Sequence, residues 1–166
     1  YTAANGLKTR HFDDVVAEIG GFVRAHRAEG TWPGGIHIEL TGEIGWDVTS
    51  ESFRRALASA SGDIRLRIHS PGGAVTDGID IANAIRAHRR AGNSVTAYVS
   101  GICMSMATYI ASVCDAVEVE DNAVYMIHNP WMFAMGDYRD MAKANEILSG
   151  LARVLAGAYA ARTERT

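Results

Sequence analysis

Cysteine and proline are both scarce, with two and three copies respectively in 166 residues. Two thiols, Cys103 and Cys114, cannot make a disulfide framework or a metal-ligand cluster. Both stand in apolar surroundings, where a free Cys acts as a small buried hydrophobe, and the pattern predicts a reducing compartment such as the cytoplasm. Blocks of basic residues are missing too: 16 Lys and Arg against 19 Asp and Glu leave a net charge of −3, which argues against nucleic acid as a partner. Arg89-Arg90 and the Arg65/Arg67 pair read as solvated or intersubunit charges. The longest apolar run, Val99 to Val113, carries several hydroxyls and falls short of the ~20 residues that span a bilayer, so no membrane partner is predicted. No signal peptide is visible. The chain opens on Tyr1 without a Met, which suggests a processed or trimmed product. Repeats and low-complexity tracts are also lacking.

What remains is an ordinary globular composition, 48% apolar and 21% charged, in a length that suits one domain. Tyr1 to Arg10 is unpatterned and reads as an arm. Val15, Val16, Ile19, Phe22, Val23 and His26 recur at helical spacing between Asp13 and Glu29. The turn cluster Gly30-Thr31-Trp32-Pro33-Gly34-Gly35 closes this preface. Strands and helices then alternate. Strands are predicted at 36–40, 64–69, 94–99, 117–119 and 124–127. Helices are predicted at 49–59, with Phe53, Ala56 and Leu57 inward, and at 76–90, burying Ile79, Ile81, Ala82 and Ile85. Two more follow, from Ser105 to about Val113 and from about Asp137 to Ala161. The last carries Met141, Ala144, Leu148, Leu151, Leu155 and Ala158 on one stripe. This order predicts an α/β fold with a largely parallel sheet.

Three stretches carry chemistry. In Ser100-Gly101-Ile102-Cys103-Met104-Ser105-Met106, a turn at Ser100-Gly101 is expected to end a strand and let a helix begin near Ser105. A hydroxyl there faces free N–H groups and the positive end of the helix dipole, which suits a nucleophile beside an oxyanion site. Taken alone, the same Ser reads as a buried residue bonded to the carbonyl one turn back. Ser70-Pro71-Gly72-Gly73 ends a strand at the sheet edge where ligands bind in open α/β folds, and its Gly pair lets a backbone N–H approach a substrate. Without a ligand it is a tight strand-to-helix turn. Tyr125-Met126-Ile127-His128-Asn129-Pro130 parks a His where a strand stops, a position suited to a general base or to a structural His.

In combination these stretches resemble the Clp-type serine peptidases, the proteolytic subunit of the caseinolytic protease. Gly42-Glu43-Ile44-Gly45-Trp46, Arg67-Ile68-His69-Ser70-Pro71-Gly72-Gly73 and Met126-Ile127-His128-Asn129-Pro130-Trp131, followed by Gly136-Asp137, are most similar to the phage and prophage head-maturation branch. The resemblance runs from about Ile36 to Thr163. It implies a Clp/crotonase-like fold of repeated β-β-α units with a long C-terminal handle-like helix. Residues 1–35, read above as an arm and helix, are not accounted for by it; 36–166 are by it the family domain without its C-terminal part.

The resemblance implies Ser105 as nucleophile, His128 as base, and the backbone N–H groups of Gly73 and Met106 as oxyanion hole. Gly72, Ala74, Met132 and Met135 fall in segments that would hold a peptide as an added strand. No cofactor or metal is implied. Partners by resemblance are a protein or peptide substrate, a homo-oligomeric ring, and capsid or scaffold proteins or an ATPase unfoldase. The setting would be the bacterial cytoplasm or a phage prohead within it. Cys103, Met104 and Ala107 depart from the small residues usual around the nucleophile. The family's orienting Asp lies beyond the closing helix and matches no residue here, so the gene product is expected to continue past Thr166. Asp137 and Asp140 read as caps of the last helix. Alternatives are a ring-forming scaffold without activity, a crotonase-type acyl-CoA enzyme, which needs a carboxylate that neither Gly turn offers, and a Ser–Lys dyad using Lys143.

Overall fold

A computed structural model of the protein describes residues 36–163. The arm at 1–10, the helix expected at 13–29 and the turn cluster at 30–35 lie outside them. In chain order the elements are β1 (Ile36–Thr41), α1 (Ser50–Ala58), β2 (Ile64–Ser70), α2 (Val75–Arg90), β3 (Val95–Met104), α3 (Met106–Ser112), β4 (Ala116–Val119), β5 (Val124–Met126) and α4 (Tyr138–Thr163). All strand pairs are parallel, in the order β1-β2-β3-β4, with β5 beside the second half of β3. The α/β class with a parallel sheet and a closing helix is therefore as the sequence predicts.

Alternation in β2 decides the layering. Ile64, Leu66, Ile68 and Ser70 are buried, and they join Phe53 of α1, Ile81, Ala82 and Ile85 of α2, and most of α3 in one core. Arg65, Arg67 and His69 point the other way. A parallel sheet is ordinarily covered on both faces; this second face is instead polar and paired across strands. Arg65 pairs with Glu118, Arg67 with Glu39 at 3.2 Å and with Ser100 Oγ at 3.1 Å, and the Tyr98 hydroxyl donates to Glu120. Arg65 is thus held within the chain, and so is Arg89, which pairs with Asp115.

Four expectations need correction. Ser100-Gly101 is no turn: β3 continues to Met104, because Ile102–Met104 find partners in β5 and Cys103 pairs with Ser70. Gly101 serves a close approach instead, since a Cβ there would lie 2.5 Å from His69 Nδ1. Helix α3 starts at Met106, leaving Ser105 just outside it. Ala56 faces solvent. The stripe on α4 is only locally buried: Leu155 is covered at 7% exposure, whereas Met141 is exposed and the rest are half-buried. Helix α4 docks by its C-terminal end, where Tyr159 meets Tyr109 edge-on and Arg162 donates to the carbonyls of Cys114 and Asp115. Among the described residues no helix is long and apolar enough to cross a membrane.

Candidate active site

Ser105 stands between a strand and a helix, and its backbone records the stress of that position. Its φ of 53° and ψ of −125° make it the only non-Gly residue with positive φ among those described. Such a conformation costs about 1–3 kcal/mol and persists only where the surroundings enforce it. Here they do. The Ser105 N–H donates to the Met126 carbonyl at 2.8 Å, and the Ser105 carbonyl accepts from both the N–H (3.0 Å) and the hydroxyl (2.6 Å) of Thr108. Because the Thr108 proton is committed to Ser105, the Tyr159 hydroxyl must donate in the 2.7 Å contact it makes with Thr108 Oγ1. The Ser105 side chain makes no capping bond, so its hydroxyl is left for other work.

The Ser-Pro-Gly-Gly turn packs directly against this residue. A Cβ on Gly72 (φ 96°) would lie 2.6 Å from Ser105 Cβ and 2.9 Å from Met106 N, so only Gly lets the two segments meet. Buried Ser70 braces the turn, donating to the Gly42 carbonyl at 2.6 Å and accepting from the Gly72 N–H at 3.1 Å. Ile44 donates to the Gly72 carbonyl at 2.8 Å, and the Ala74 N–H donates to Ile44 at 2.7 Å. In a parallel bridge of this kind the intervening residue, Gly73, turns its own N–H and C=O to the opposite side. Gly73 could not carry a side chain, since its Cβ would fall 2.1 Å from the Ile44 carbonyl oxygen. Met106 N–H, in the first turn of α3, lacks an intrahelical acceptor.

His128 follows two residues after the carbonyl that holds Ser105. It is half-buried, and its Nδ1 lies 2.7 Å from the Asn129 carbonyl. A carbonyl only accepts, so Nδ1 carries the proton and Nε2 is the basic nitrogen. No hydrogen bond joins this ring to the Ser105 hydroxyl among the described residues. Met132 and Met135 lie in an exposed stretch, with Met135 98% accessible. Gly72 is buried and Ala74 exposed.

The neighbouring titratable groups are passive. Burial pushes the Cys103 thiol well above its ordinary range and Cys114 to about 12. A thiol that stays protonated is no nucleophile, so Cys103 is a packing residue here. Burial also raises Tyr125 and Tyr159. Asp137 and Asp140 form the cap of α4: Asp137 Oδ1 accepts from the N–H of Arg139 (2.8 Å) and Asp140 (3.3 Å), and Asp140 Oδ2 from the N–H of Asp137 (3.1 Å). Lys143 is exposed on the same helix. The bracing contacts of Ser70, Thr108 and Tyr159 were not read from the sequence. The signal for Ser70 was a polar residue at an inward position of an alternating strand.

Residues 35–166 match the family model described as Clp protease. The chain belongs to the Clp protease family. Shorter stretches are similar to curated phospho-2-dehydro-3-deoxyheptonate aldolases. Identity is 59% over 49 residues with that of Streptomyces coelicolor, covering 30% of this chain and 10% of the enzyme. It is 56% over 43 residues with the AroG enzyme of Mycolicibacterium smegmatis, covering 26% and 9%. With the Streptomyces lividans protein it is 57% over 49 residues, covering 30% and 32%. The chain thus spans a third or less of the curated relatives it matches. Ser105, the Gly72-Gly73 pair and His128 follow the C-terminal ends of β3, β2 and β5, at one edge of the sheet.

Proposed function

We propose that the protein is a serine endopeptidase. Ser105 Oγ attacks the substrate carbonyl and passes its proton to His128 Nε2. The oxyanion sits on the N–H groups of Gly73 and Met106, and the imidazolium then protonates the leaving amine. Water hydrolyses the acyl-enzyme by the same steps in reverse order of proton transfer. A peptide would lie extended between the Gly72–Ala74 segment, using the open side of Gly73, and the Met132–Met135 stretch.

The observation that carries this reading is the enforced positive φ of Ser105 beside two bare glycines. The test is a fluorophosphonate probe. Labelling is expected at Ser105 and is lost in Ser105→Ala, together with about 10⁴-fold or more of peptide cleavage. Labelling at Ser70, Ser100 or Ser112 would move the nucleophile elsewhere.

The turn of His128 toward Asn129 favours a second reading, a ring-forming scaffold with little activity. An orienting acid is worth about 10⁴-fold in kcat, and Asp137 and Asp140 are occupied in a cap. An assembled protein that resists the probe would decide for the scaffold.

The exposed apolar surface of 131–141 and of α4 supports a homo-oligomeric ring acting on protein substrates. From the motif likeness we infer a setting in phage or prophage head maturation, in the bacterial cytoplasm or the prohead, with capsid proteins or an ATPase unfoldase as partners. Residues 36–166 would form the family domain and 1–35 an appended arm. A likeness to a third or less of an aldolase carries no aldol chemistry to this chain.

A further inference from the structure

Two helices from different parts of the chain end at one place and both bring arginines. The last turns of α2 supply Arg86, Arg89 and Arg90, and the end of α4 supplies Arg162. They line a cleft of about 350 Å³ whose floor includes Val113 and Ala158. It lies at the far end of α3 from Ser105, about 10 Å along the helix axis. Two of the four are anchored to the α3–β4 turn. Arg89 pairs with Asp115 and donates to the Val113 carbonyl at 2.8 Å; Arg162 donates to the carbonyls of Cys114 (2.7 Å) and Asp115 (2.9 Å).

The other two have no carboxylate partner among the described residues. Arg86 lies over the Tyr109 ring, 5.6 Å from its centroid, and its Nη1 donates to Asn83 Oδ1 at 3.1 Å and to the Tyr109 hydroxyl at 3.4 Å. Arg90 donates only its Nε, to the Arg86 carbonyl at 3.3 Å. Basic residues at the end of α2 complement its dipole. The carbonyls of the α3–β4 turn account for Arg162, but neither they nor the dipole account for the space left among the four guanidinium groups. Among the described residues no carboxylate lines the cleft. Guanidinium forks match oxyanions by paired charge-assisted hydrogen bonds, and several forks around one small volume call for an anion with several oxygens and more than one charge.

We propose that this cleft binds a compact multivalent oxyanion of the phosphate class, independent of the peptidase site. Such an anion bridges α2 and α4 and holds the C-terminal end of α4 on α3, so binding raises thermal stability. The probes are pyrophosphate, inorganic phosphate and citrate, each compared with KCl at matched ionic strength, by calorimetric titration and thermal melting. Saturable binding and a raised Tm are expected, with pyrophosphate ahead of phosphate and of citrate.

Arg86→Gln combined with Arg90→Gln should weaken pyrophosphate by about 100-fold, and Arg90→Gln alone by about 10-fold, the sizes of lost charge-assisted bonds. Arg90 is exposed and makes one long bond, so its single variant should melt like the parent without ligand. Arg54→Gln, which lies outside the cleft, should bind as the parent does. A pyrophosphate effect no larger than that of KCl, unchanged affinity in the Arg90→Gln protein, or citrate binding more tightly than pyrophosphate would each overturn the proposal. Peptide cleavage is not read in any arm, so failure here is separate from failure of the peptidase reading.

Discussion

Helix α3 and the segment after His128 are both rich in apolar residues, and the fold treats them oppositely. All seven residues of α3 are buried, whereas every residue from Trp131 to Lys143 is exposed, Phe133 at 92%. Composition does not separate them; topology does. Helix α3 follows the central strand β3 and is covered by α2 and by the docked end of α4. The 131–143 stretch leaves the sheet edge, and its aromatic contacts are local, Trp131 on Phe133 and Arg139 over Tyr138. The candidate site straddles that boundary. Ser105, Met106 and the glycine pair belong to the closed side, and His128 stands at its margin. On our reading, the fold alone fixes the nucleophile, and assembly completes the side that carries the base.

The largest effect should come from disturbing the closed side. In Gly73→Val the new side chain meets the Ile44 backbone at a distance no Cβ tolerates, and the turn must move. Loss of one oxyanion donor costs about 10²–10³ in kcat, so kcat for a fluorogenic peptide should fall by at least that factor. A Gly73→Val enzyme within tenfold of the parent would remove Gly73 from the site.

The open side should give the opposite signature. Met141 and Ile147 are exposed, and exposed surface substitutions change stability by about 0.5 kcal/mol or less. Met141→Glu with Ile147→Glu should therefore break a ring into subunits by light scattering and reduce cleavage of long unfolded chains. Subunit melting should barely change. Leu155 is unsuitable for this purpose, because it packs in the core and Leu155→Glu would unfold the docked end of α4. A parent protein that is monomeric at micromolar concentration would sink the assembly.

The same boundary explains what the sequence revealed. Period-two alternation in Ile64–His69 marked β2 and its inward face, because a half-buried strand leaves no other pattern. The helix at 50–58 was read from the spacing of Phe53 and Leu57, while the cap at Thr49, whose Oγ1 accepts from the Ser52 N–H at 3.1 Å, was not. Ser105, the glycine pair and His128 came together as a set only through the likeness to Clp-type peptidases; taken singly, each also had a purely structural reading. The continuation of β3 through Gly101 was not legible, since it depends on β5, some twenty residues on, and on the ring of His69. The contact of Tyr159 with Thr108 was not legible for the same reason. A Tyr on a long helix says nothing about Thr108, 51 residues earlier.

That contact is the next place to test the closed side. Tyr159→Phe removes the donor to Thr108 Oγ1 and leaves the ring to pack against Tyr109. A neutral buried hydrogen bond is worth about 1 kcal/mol, so Tm should drop by the corresponding few degrees. If Thr108 positions Ser105 through this contact, kcat should fall several-fold with KM unchanged. Tyr138→Phe on the open side, where the hydroxyl meets only the neighbouring Arg139, should alter neither quantity. A drop in Tm without any change in kcat would make Tyr159 a packing residue alone.

The smallest effect concerns the far end of the closed side, where Asp115 joins the α3–β4 turn to the start of β3. Its carboxylate accepts from Arg89 and, at 2.8 Å, from the Val95 N–H. Partial burial pushes its pKa up, but the hydrogen bonds from Arg89 and Val95 and the nearby positive charges of Arg89 and Arg162 outweigh it, and the net shift is downward. Near the ordinary aspartate range of about 3.9, the unfolded chain then binds more protons at this group than the folded one. Its contribution is fully present above that range and is lost as pH falls through the lower folded value. The pair is partly exposed, and such pairs are worth under about 1 kcal/mol after solvent screening. Melting from pH 7 to pH 3 should therefore show a shallower acid loss in Asp115→Asn than in the parent, on top of a slightly lower Tm at neutral pH. Parallel curves for the two proteins would show that Asp115 carries none of the acid sensitivity.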